Sequence, residues 1–367
     1  MTIRKTLLWT GAAALAAGTA SAQDLTFVSW GGAYQASQQK AYVEPYLADH
    51  PELSITWDES SAEAVAKLRA MEEAGNITWD LVDVTAASAI RACDEGLAME
   101  VDHDELLAPA PDGTDASDDF GDLIVSDCFI PQIVYSTTLA YRNDVADWGG
   151  KEPEDVCALF DLENFPGQRT LEKRPLNNLE WALIADGVEP DSVYAELETR
   201  DGVDRAFRML DRIKPVLSWW RTGSEAVQLL ESGKVAMSSV YSGRVHATAD
   251  AQTPLKIVWD HQVWYLDVWS IPMNGENIDT AREFIRFATS TRSLANQAGY
   301  IPYGPARRSS MALLAPEVRR RLPTAEENFR TAFESDDRWW SENIDRLNHE
   351  FRQWLKREVM VPERLRR

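Results

Sequence analysis

Short apolar runs alternate with amphipathic segments in the N-terminal part of the chain. Leu25–Trp30 (LTFVSW), Leu53–Trp57 (LSITW) and Trp79–Val84 (WDLVDV) have the length and apolar content of buried strands. A helix-length segment separates the first two, and Ser61–Gly75 has the amphipathic spacing of a helix that ends at a glycine. This β-α-β-α-β order predicts a parallel sheet covered by helices.

Ligands of open α/β sheets bind at the carboxyl ends of the strands. Trp30, Gly31 and Thr85 emerge at those ends, so a ligand site is expected around them. Further along, the pattern predicts a helix at Thr280–Thr289 and strands at Phe129–Tyr141, Val235–Val240, Leu255–Trp259 and Tyr265–Ile271. The first of these strands is long enough to leave one lobe and enter another.

The first residues have the pattern of a secretory signal peptide. Arg4 and Lys5 precede an apolar run (TLLWTGAAALAA), and Ala20-Ser21-Ala22 is a small-x-small cleavage site. The run is shorter than the roughly 20 residues of a spanning helix. We therefore predict that residues 1–22 are removed, that the mature chain begins near Gln23, and that it is soluble and exported.

Charge and composition narrow the class of partner. The chain has 367 residues, with 37 Lys plus Arg against 59 Asp plus Glu, for a net charge of −22. The length suggests two domains or two lobes, and the acidity argues against a nucleic-acid partner. The 14 tryptophans outnumber the 10 tyrosines and 11 phenylalanines. This excess fits a ligand site with aromatic walls or a tryptophan-rich core.

Three cysteines fit an oxidising compartment better than a metal site. Cys93, Cys128 and Cys157 form no C-x-x-C pair, and no histidine stands at a metal-ligand spacing, so no metal is predicted. We favour a disulfide between Cys93 and Cys128, which flank an irregular acidic loop. Cys157 would then be unpaired. Three free thiols remain the alternative.

Signatures of catalysis are missing from the sequence. It contains no G-x-S-x-G, H-E-x-x-H, Walker-A or G-x-G-x-x-G motif. Ser242 and His246 would be the first pair to examine for an exported hydrolase, although a turn residue and a helix residue explain them more simply. We predict a binding protein, with no catalytic residues and no cofactor.

Four stretches in order resemble one family of exported receptors. They are Val28–Tyr34 (VSWGGAY), Trp79–Thr85 (WDLVDVT), Val240–Arg244 (VYSGR) and Tyr265–Asp267 (YLD). Two further segments, Gly299–Pro305 (GYIPYGP) and Trp339-Trp340, are also similar to this family. Together they resemble the periplasmic solute-binding proteins of ABC importers, in the spermidine/putrescine-binding family. The resemblance implies a two-lobed α/β fold (type II). Each lobe would be a mixed, mostly parallel sheet with flanking helices, and two crossover strands would join the lobes.

The resemblance also implies a periplasmic location, domain boundaries and partners. Residues 23–138 with 268–310 would form lobe 1, and residues 139–267 with 311–367 would form lobe 2, with the ligand cleft between them. The protein would act as a monomer and deliver a small amine or ω-amino acid to an inner-membrane ABC permease.

The family positions carry over to eight residues of this sequence. Asp267 matches the carboxylate that holds a ligand ammonium, Thr85 stands in place of a hydrogen-bonding serine, and the aromatic residues would wall the cleft. The implied ligand-binding residues are Trp30, Tyr34, Thr85, Tyr241, Arg244, Tyr265, Asp267 and Tyr300.

Two departures from the family pattern change the expected ligand. Arg244 stands where the putrescine-type pattern has Asp, and residues 173–177 (KRPLN) stand where diamine binders place acids. A dication needs a carboxylate at each end, because a buried ammonium must be paired. Asp267 at one end and Arg244 at the other suit an ω-amino acid zwitterion. This pair is similar to the arrangement in γ-aminobutyrate-binding members of the family.

Several alternatives stay open on the sequence alone. Arg221 could hold the anion instead of Arg244, and either Trp219 or Trp220 could line the cleft. The ligand could be a true polyamine, putrescine or spermidine, in an altered acidic site, or a betaine in the aromatic cage. Tyr300 and Tyr303 are too few to predict an iron site.

Overall fold

The computed structural model describes residues 23–248 and 254–358. The predicted signal peptide, residues 1–22, lies outside the described residues. The strands are β1 Gln23–Val28, β2 Leu53–Asp58, β3 Leu81–Thr85, β4 Ile130–Tyr141, β5 Arg169–Glu172, β6 Leu217–Trp220, β7 Met237–Tyr241, β8 Lys256–Ser270, β9 Gly304–Pro305 and β10 Phe333–Glu334.

Helices connect these strands in both the N-terminal and the C-terminal half of the chain. They are α1 Gly32–Gln38, α2 Glu44–Asp49, α3 Ala64–Ala74, α4 Ala86–Asp94, α5 His103–Leu106, α6 Ala116–Phe120, α7 Asn178–Ala185, α8 Val193–Leu197, α9 Arg200–Ile213, α10 Gly223–Glu231, α11 Ser242–Thr248, α12 Ile278–Ala288, α13 Thr291–Tyr300, α14 Arg308–Met311, α15 Pro316–Arg319, α16 Glu326–Phe329 and α17 Asp337–Leu355. A π-helical turn, Gln39–Val43, joins α1 to α2. Among the described helices, none is both long enough and apolar enough to span a bilayer.

The sheet consists of two parallel halves joined by an antiparallel centre. Its strand order is β2-β1-β3-β8-β4-β7-β5-β6, with β9 beside β4 and β10 beside β8. β1 pairs in parallel with β2 and β3, which confirms the order predicted from the N-terminal pattern. β5 pairs in parallel with β6 and β7. The pairings of β8 with β3 and β4, and of β4 with β7, are antiparallel.

The two central strands are the longest, and they connect the halves. All 12 residues of β4 are buried. The 15-residue β8 corrects the prediction of two separate strands at Leu255–Trp259 and Tyr265–Ile271. The polar triplet 260–262 interrupts the apolar pattern, but the chain bulges there, since His261 has a φ of 48° and the register against β4 shifts. One strand therefore crosses between the halves without ending.

A disulfide ties the sheet's central region to a helix. Cys93 at the end of α4 is bonded to Cys128 just before β4, at a sequence separation of 35 and a Cα–Cα distance of 5.8 Å. The predicted pairing is thus confirmed. Cys157 is a free, half-buried thiol, and burial raises its pKa to about 11.

The long helix α17 contacts elements from both halves of the sheet. On one side, Asp345 accepts a hydrogen bond from Arg91 of α4 at 2.7 Å. On the other, Trp340 donates to Glu180 of α7 at 2.8 Å and Trp354 donates to Asp211 of α9 at 2.7 Å. The helix therefore lies across both halves, and the lobe boundaries given above stay a prediction.

Candidate ligand-binding site

An inner chamber lies where the two halves of the sheet meet. Its walls are Trp30, Tyr34, Tyr135, Arg174, Tyr241, Arg244, Asp267 and Tyr303. Five of the eight residues predicted for the site are among them. The chamber shares Trp30, Tyr135, Arg174, Tyr241 and Arg244 with an outer cavity of about 790 Å³. Some residues of this outer cavity are solvent-exposed, so the outer cavity reaches the surface.

Trp30 reaches the chamber from the loop after β1, as the strand-end rule predicts. Its indole Nε1 donates a hydrogen bond to Oδ1 of Asp83 at 3.2 Å. Gly31 and Gly32 follow with φ values of 62° and 58°. A Cβ on Gly32 would lie 2.8 Å from Nη1 of Arg244. Glycine there allows this backbone to approach the guanidinium, and its positive φ favours glycine as well.

Arg244 lies on α11, directly after β7, and its side chain crosses between the halves. It is 5% exposed. Its Nη2 donates to the backbone carbonyls of Trp30 and Gly31 at 3.4 Å each, and Nη1 donates to Ser224 Oγ at 3.4 Å. These are long hydrogen bonds to neutral acceptors. A planar guanidinium so placed keeps the capacity to bind a carboxylate in the chamber.

Asp267 faces the same chamber from β8. It is 6% exposed, and its Oδ1 has no hydrogen-bond partner. Burial and the neighbouring Asp83 raise the pKa of Asp267 well above its ordinary value, while Arg244 acts in the opposite direction. A buried carboxylate oxygen without a donor is costly, and a ligand ammonium would supply the missing donor and charge.

Asp83 lies on β3 behind this wall and was not predicted as a site residue. It is fully buried and accepts hydrogen bonds from Trp30, from the Tyr34 hydroxyl at 2.9 Å and from the Gln38 amide. Burial raises its pKa to about 7, and these hydrogen bonds oppose the shift. An acid inside the apolar run WDLVDV was the sequence signal that could have revealed it.

Tyrosine rings form most of the chamber wall. Tyr135 of β4 stacks on Tyr265 at 5.2 Å, and its centroid lies 5.7 Å from that of Tyr241 and 6.1 Å from that of Tyr303. Tyr34 and Tyr303 are 6.0 Å apart. Tyr265 lies behind Tyr135 and reaches the outer cavity. Because every residue of β4 is buried, no alternation in the sequence could single out Tyr135.

Arg174 adds a second guanidinium to the chamber, but it has an internal partner. Its Nε lies 2.8 Å from Oε2 of Glu172, and its Nη2 donates to the Tyr241 hydroxyl at 3.2 Å. That hydroxyl donates in turn to Glu172 at 3.0 Å. Glu172 therefore offsets the charge of Arg174 within the chamber wall.

The outer cavity holds Thr85 and Arg221. Thr85 caps the N-terminus of α4, since its Oγ1 accepts a hydrogen bond from the Ser88 backbone amide at 3.3 Å. The Arg221 side chain is exposed at the cavity edge. Neither residue lines the inner chamber.

The position of Tyr300 does not support its predicted role. This residue ends α13, is 53% exposed, and lines neither cavity. Tyr303 takes the place instead, because β9 (Gly304–Pro305) pairs with β4 and turns the preceding side chain inward. The sequence GYIPYGP offers both tyrosines, and only the strand pairing distinguishes them.

Other residues singled out in the sequence lie away from the chamber. Neither Trp219 nor Trp220 lines it: Trp220 packs against Tyr241 from behind at 5.4 Å, and Trp219 packs edge-on against Trp354 of α17. Ser242 is buried, while His246 is exposed. In the described ranges, no cluster of three His, Cys, Asp or Glu side chains could hold a metal ion.

The fold and the chamber together define a class of protein. A two-lobed α/β fold with long crossover strands encloses a small aromatic chamber with an acid and a guanidinium in its walls. This architecture is that of a solute receptor, whose lobes close around a ligand.

Comparison with known proteins identifies the family. Residues 41–321 match the model of the bacterial extracellular solute-binding proteins, and the chain belongs to this family. It is 34% identical over 347 residues to a gamma-aminobutyric acid-binding protein of Pseudomonas aeruginosa, covering 95% of each chain. It is also 23% identical over 197 residues to a spermidine/putrescine-binding periplasmic protein of Salmonella typhimurium, covering 53% of each.

A solved structure extends the comparison. The Atu4243 GABA receptor superposes with a TM-score of 0.79 at 28% identity, over 92% of this chain and 99% of that one. The resemblance predicted from the ordered motifs is thereby confirmed, as are the two-lobed fold and the class of solute-binding protein. The family consists of binding proteins of transporters, so the chain is a transport component and not an enzyme.

Proposed function

We propose that the protein binds an ω-amino acid zwitterion of the γ-aminobutyrate type where the inner chamber meets the outer cavity. The observation that carries the proposal is that Asp267 and Arg244 line one chamber. The Asp267 carboxylate would hold the ligand ammonium and the Arg244 guanidinium its carboxylate. The tyrosine rings and Trp30 would cover the methylene chain and the cationic head. The γ-aminobutyrate relatives from Pseudomonas aeruginosa and among the solved structures support this assignment.

The cellular role follows from the family and the start of the sequence. We infer that residues 1–22 direct export to the periplasm, where the mature protein acts as a monomer and delivers its ligand to an inner-membrane ABC permease. Lobe 1 would comprise residues 23–138 and 268–310, and lobe 2 residues 139–267 and 311–367. Ligand would bridge the lobes and stabilise the closed state.

A polyamine is the competing ligand class. It would need a second carboxylate beyond Asp267. The outer cavity offers five, namely Glu59, Glu63, Glu172, Asp337 and Asp345. Glu172 already pairs with Arg174, and the Arg244 guanidinium in the chamber wall would repel a second ammonium. The geometry therefore favours the zwitterion.

Calorimetric titration of the mature protein, refolded once to remove carried-over ligand, tests the proposal. The syringe series is γ-aminobutyrate, putrescine, spermidine and glycine betaine. We expect γ-aminobutyrate to bind at least about 100-fold more tightly than putrescine, because a second ammonium would face Arg244 without a partner. Tighter binding of putrescine or spermidine would replace the zwitterion with a polyamine, and binding of none would remove the proposed ligand class.

A pair of tyrosine variants tests which aromatic residue faces the ligand. Tyr303→Leu removes a ring of the chamber and is expected to lower γ-aminobutyrate affinity by about 10-fold, since a ring over a cation contributes about 1 kcal/mol or more. Tyr300→Leu is the matched control and should leave affinity unchanged, because this exposed side chain lines neither cavity. A loss of affinity in Tyr300→Leu with unchanged affinity in Tyr303→Leu would show that Tyr300, and not Tyr303, faces the ligand.

A further inference from the structure

Two buried carboxyl groups lie at diagonal positions of the paired strands β3 and β8, at the ammonium end of the chamber. In the antiparallel pairing of β3 with β8, Thr85 stands opposite Asp267 and Asp83 stands opposite Trp269. Side chains two positions apart on a strand share a face, so Asp83 and Asp267 are diagonal neighbours on the same face of the sheet. Asp83 is 0% exposed and Asp267 is 6% exposed. Bulk water therefore screens neither charge.

The partners of Asp83 are neutral donors. They come from the loop after β1 and from α1, namely Trp30 Nε1 at 3.2 Å, the Tyr34 hydroxyl at 2.9 Å and the Gln38 amide. Gln132 of β4 is a fourth donor. In the amide orientation that satisfies both of its polar atoms, its nitrogen donates to Asp83 at 3.2 Å and its oxygen accepts a hydrogen bond from the Trp269 indole. The other titratable group facing Asp83 from this side is the buried phenol of Tyr42. No lysine, arginine or histidine of the described chain forms an ion pair with Asp83.

The surroundings of Asp267 are charged but supply its Oδ1 with no hydrogen bond. The charged groups that act on it are Asp83 of β3, Arg244 of α11, Arg174 after β5 and Asp337 of α17. The phenols of Tyr34, Tyr135 and Tyr303 also face it. The ordinary tendency of two adjacent buried carboxyls is to keep one proton between them, because both cannot ionise cheaply in a low-dielectric site.

The hydrogen bonds place the two groups unequally. Asp83 accepts up to four, which favours its ionised form, whereas Asp267 lacks a donor at Oδ1. Burial raises the pKa of both carboxyls, to about 7 for Asp83 and well above the ordinary value for Asp267. Of the two carboxyl groups, Asp267 is therefore the one that carries the proton, and Asp267 is also the one that lines the chamber.

We propose that in the ligand-free protein the pair Asp83 and Asp267 together carries one proton, and that the ligand's ammonium group displaces this proton on binding. The inference rests on the proposed function only in requiring an ammonium at Asp267. The proton leaves to the buffer, and the ammonium keeps its own. Asp83 does not line the chamber, so it acts as a positioning residue that sets the charge available at Asp267.

The proposal makes binding dependent on pH, with a definite sign. While the pair holds its proton, each unit of increase in pH should strengthen amine binding by up to about 10-fold, since one proton is released for each ligand bound. At pH values above the pKa at which the pair loses its proton, affinity should become independent of pH until the ligand's own amine titrates.

Infrared spectroscopy of the ligand-free protein tests the stored proton. At pH 7, the carbonyl band of protonated carboxyl groups should lose intensity in both Asp83→Asn and Asp267→Asn. Asp80→Asn is the matched control, because Asp80 lies beside the same strand, is bonded to Thr26 and Asn277, and lines neither cavity. An unchanged band in both test variants would overturn the proposal.

Calorimetry in buffers of different ionisation enthalpy tests the displacement, with γ-aminobutyrate and putrescine as probes. The wild-type protein should release up to about one proton per amine bound at pH 7, and Asp83→Asn should release almost none. This wild-type measurement does not depend on whether a variant folds. Binding of either amine without proton release would overturn the proposal. If putrescine binds with proton release and γ-aminobutyrate does not bind, the proposed ligand is wrong and the proposed protonation of the pair is supported.

Discussion

The Asp267→Asn variant is expected to lose at least about 100-fold in γ-aminobutyrate affinity, or about 3 kcal/mol, while the protein still folds. Removing one member of a buried, hydrogen-bonded charge pair typically costs that much, because the ammonium would be left desolvated and unpaired. An asparagine keeps the size of the side chain and loses only the charge. Calorimetric titration of wild-type and variant proteins measures the loss directly.

The stability of the ligand-free variant provides the control for folding. Burial raises the pKa of Asp267 above that of the unfolded chain, so the folded state binds a proton more tightly than the unfolded state does. The contribution of this carboxyl to stability is therefore most favourable at low pH, and it falls as the pH rises from the unfolded pKa through the folded pKa. An amide at this position does not titrate, so at pH 8 the Asp267→Asn variant should melt no lower than the wild type. Full ligand affinity in a folded variant would remove Asp267 from the site.

The second large effect is expected at the anion end of the chamber. Arg244→Gln should weaken γ-aminobutyrate binding by about 100-fold, because the ligand carboxylate loses a charged, two-pronged donor. Arg244→Lys should lose about 10-fold, since a single ammonium cannot reproduce the planar fork. The same guanidinium also donates to the backbone of Trp30 and Gly31, so both variants should close around ligand less readily.

Arg221→Gln is the matched control for charge. Its side chain is exposed at the edge of the outer cavity, and we expect its removal to change affinity by less than about 3-fold, as for other solvent-screened charges. Titrations of the three variants with γ-aminobutyrate distinguish the candidates. A large loss in Arg221→Gln together with normal binding in Arg244→Gln would move the anion end into the outer cavity.

The elements of the fold were largely predictable because their signals are local. The β1, β2 and β3 strands and helix α3 follow from apolar runs and a terminal glycine, and Gly75 indeed ends α3 with a φ of 63°. The continuity of β8 was not predictable, because the polar triplet at its centre breaks the pattern. There the long-range pairing with β4 holds the strand together across the bulge.

Part of the site was predictable from strand ends and part from the family resemblance. The strand-end rule pointed to Trp30, and the family motifs pointed to Arg244 and Asp267; all three line the chamber. Asp83, Tyr135 and Arg174 escaped prediction, because each needs the fold to bring it into place. Asp83 acquires its environment from the loop after β1, from α1 and from β4, which are distant in sequence.

The sequence by itself predicted the parallel order of the N-terminal strands and favoured the Cys93–Cys128 pairing, and these signals lie in the periodicity and spacing of neighbouring positions. The class of protein and the two opposite charges expected to face the ligand came from the resemblance of its ordered motifs to a known family. The tertiary structure decided that Tyr303 and not Tyr300 faces the chamber, that Glu172 offsets Arg174, and that Asp83 stands beside Asp267. The reason is physical: burial, charge pairing and side-chain orientation arise from the register between strands far apart along the chain.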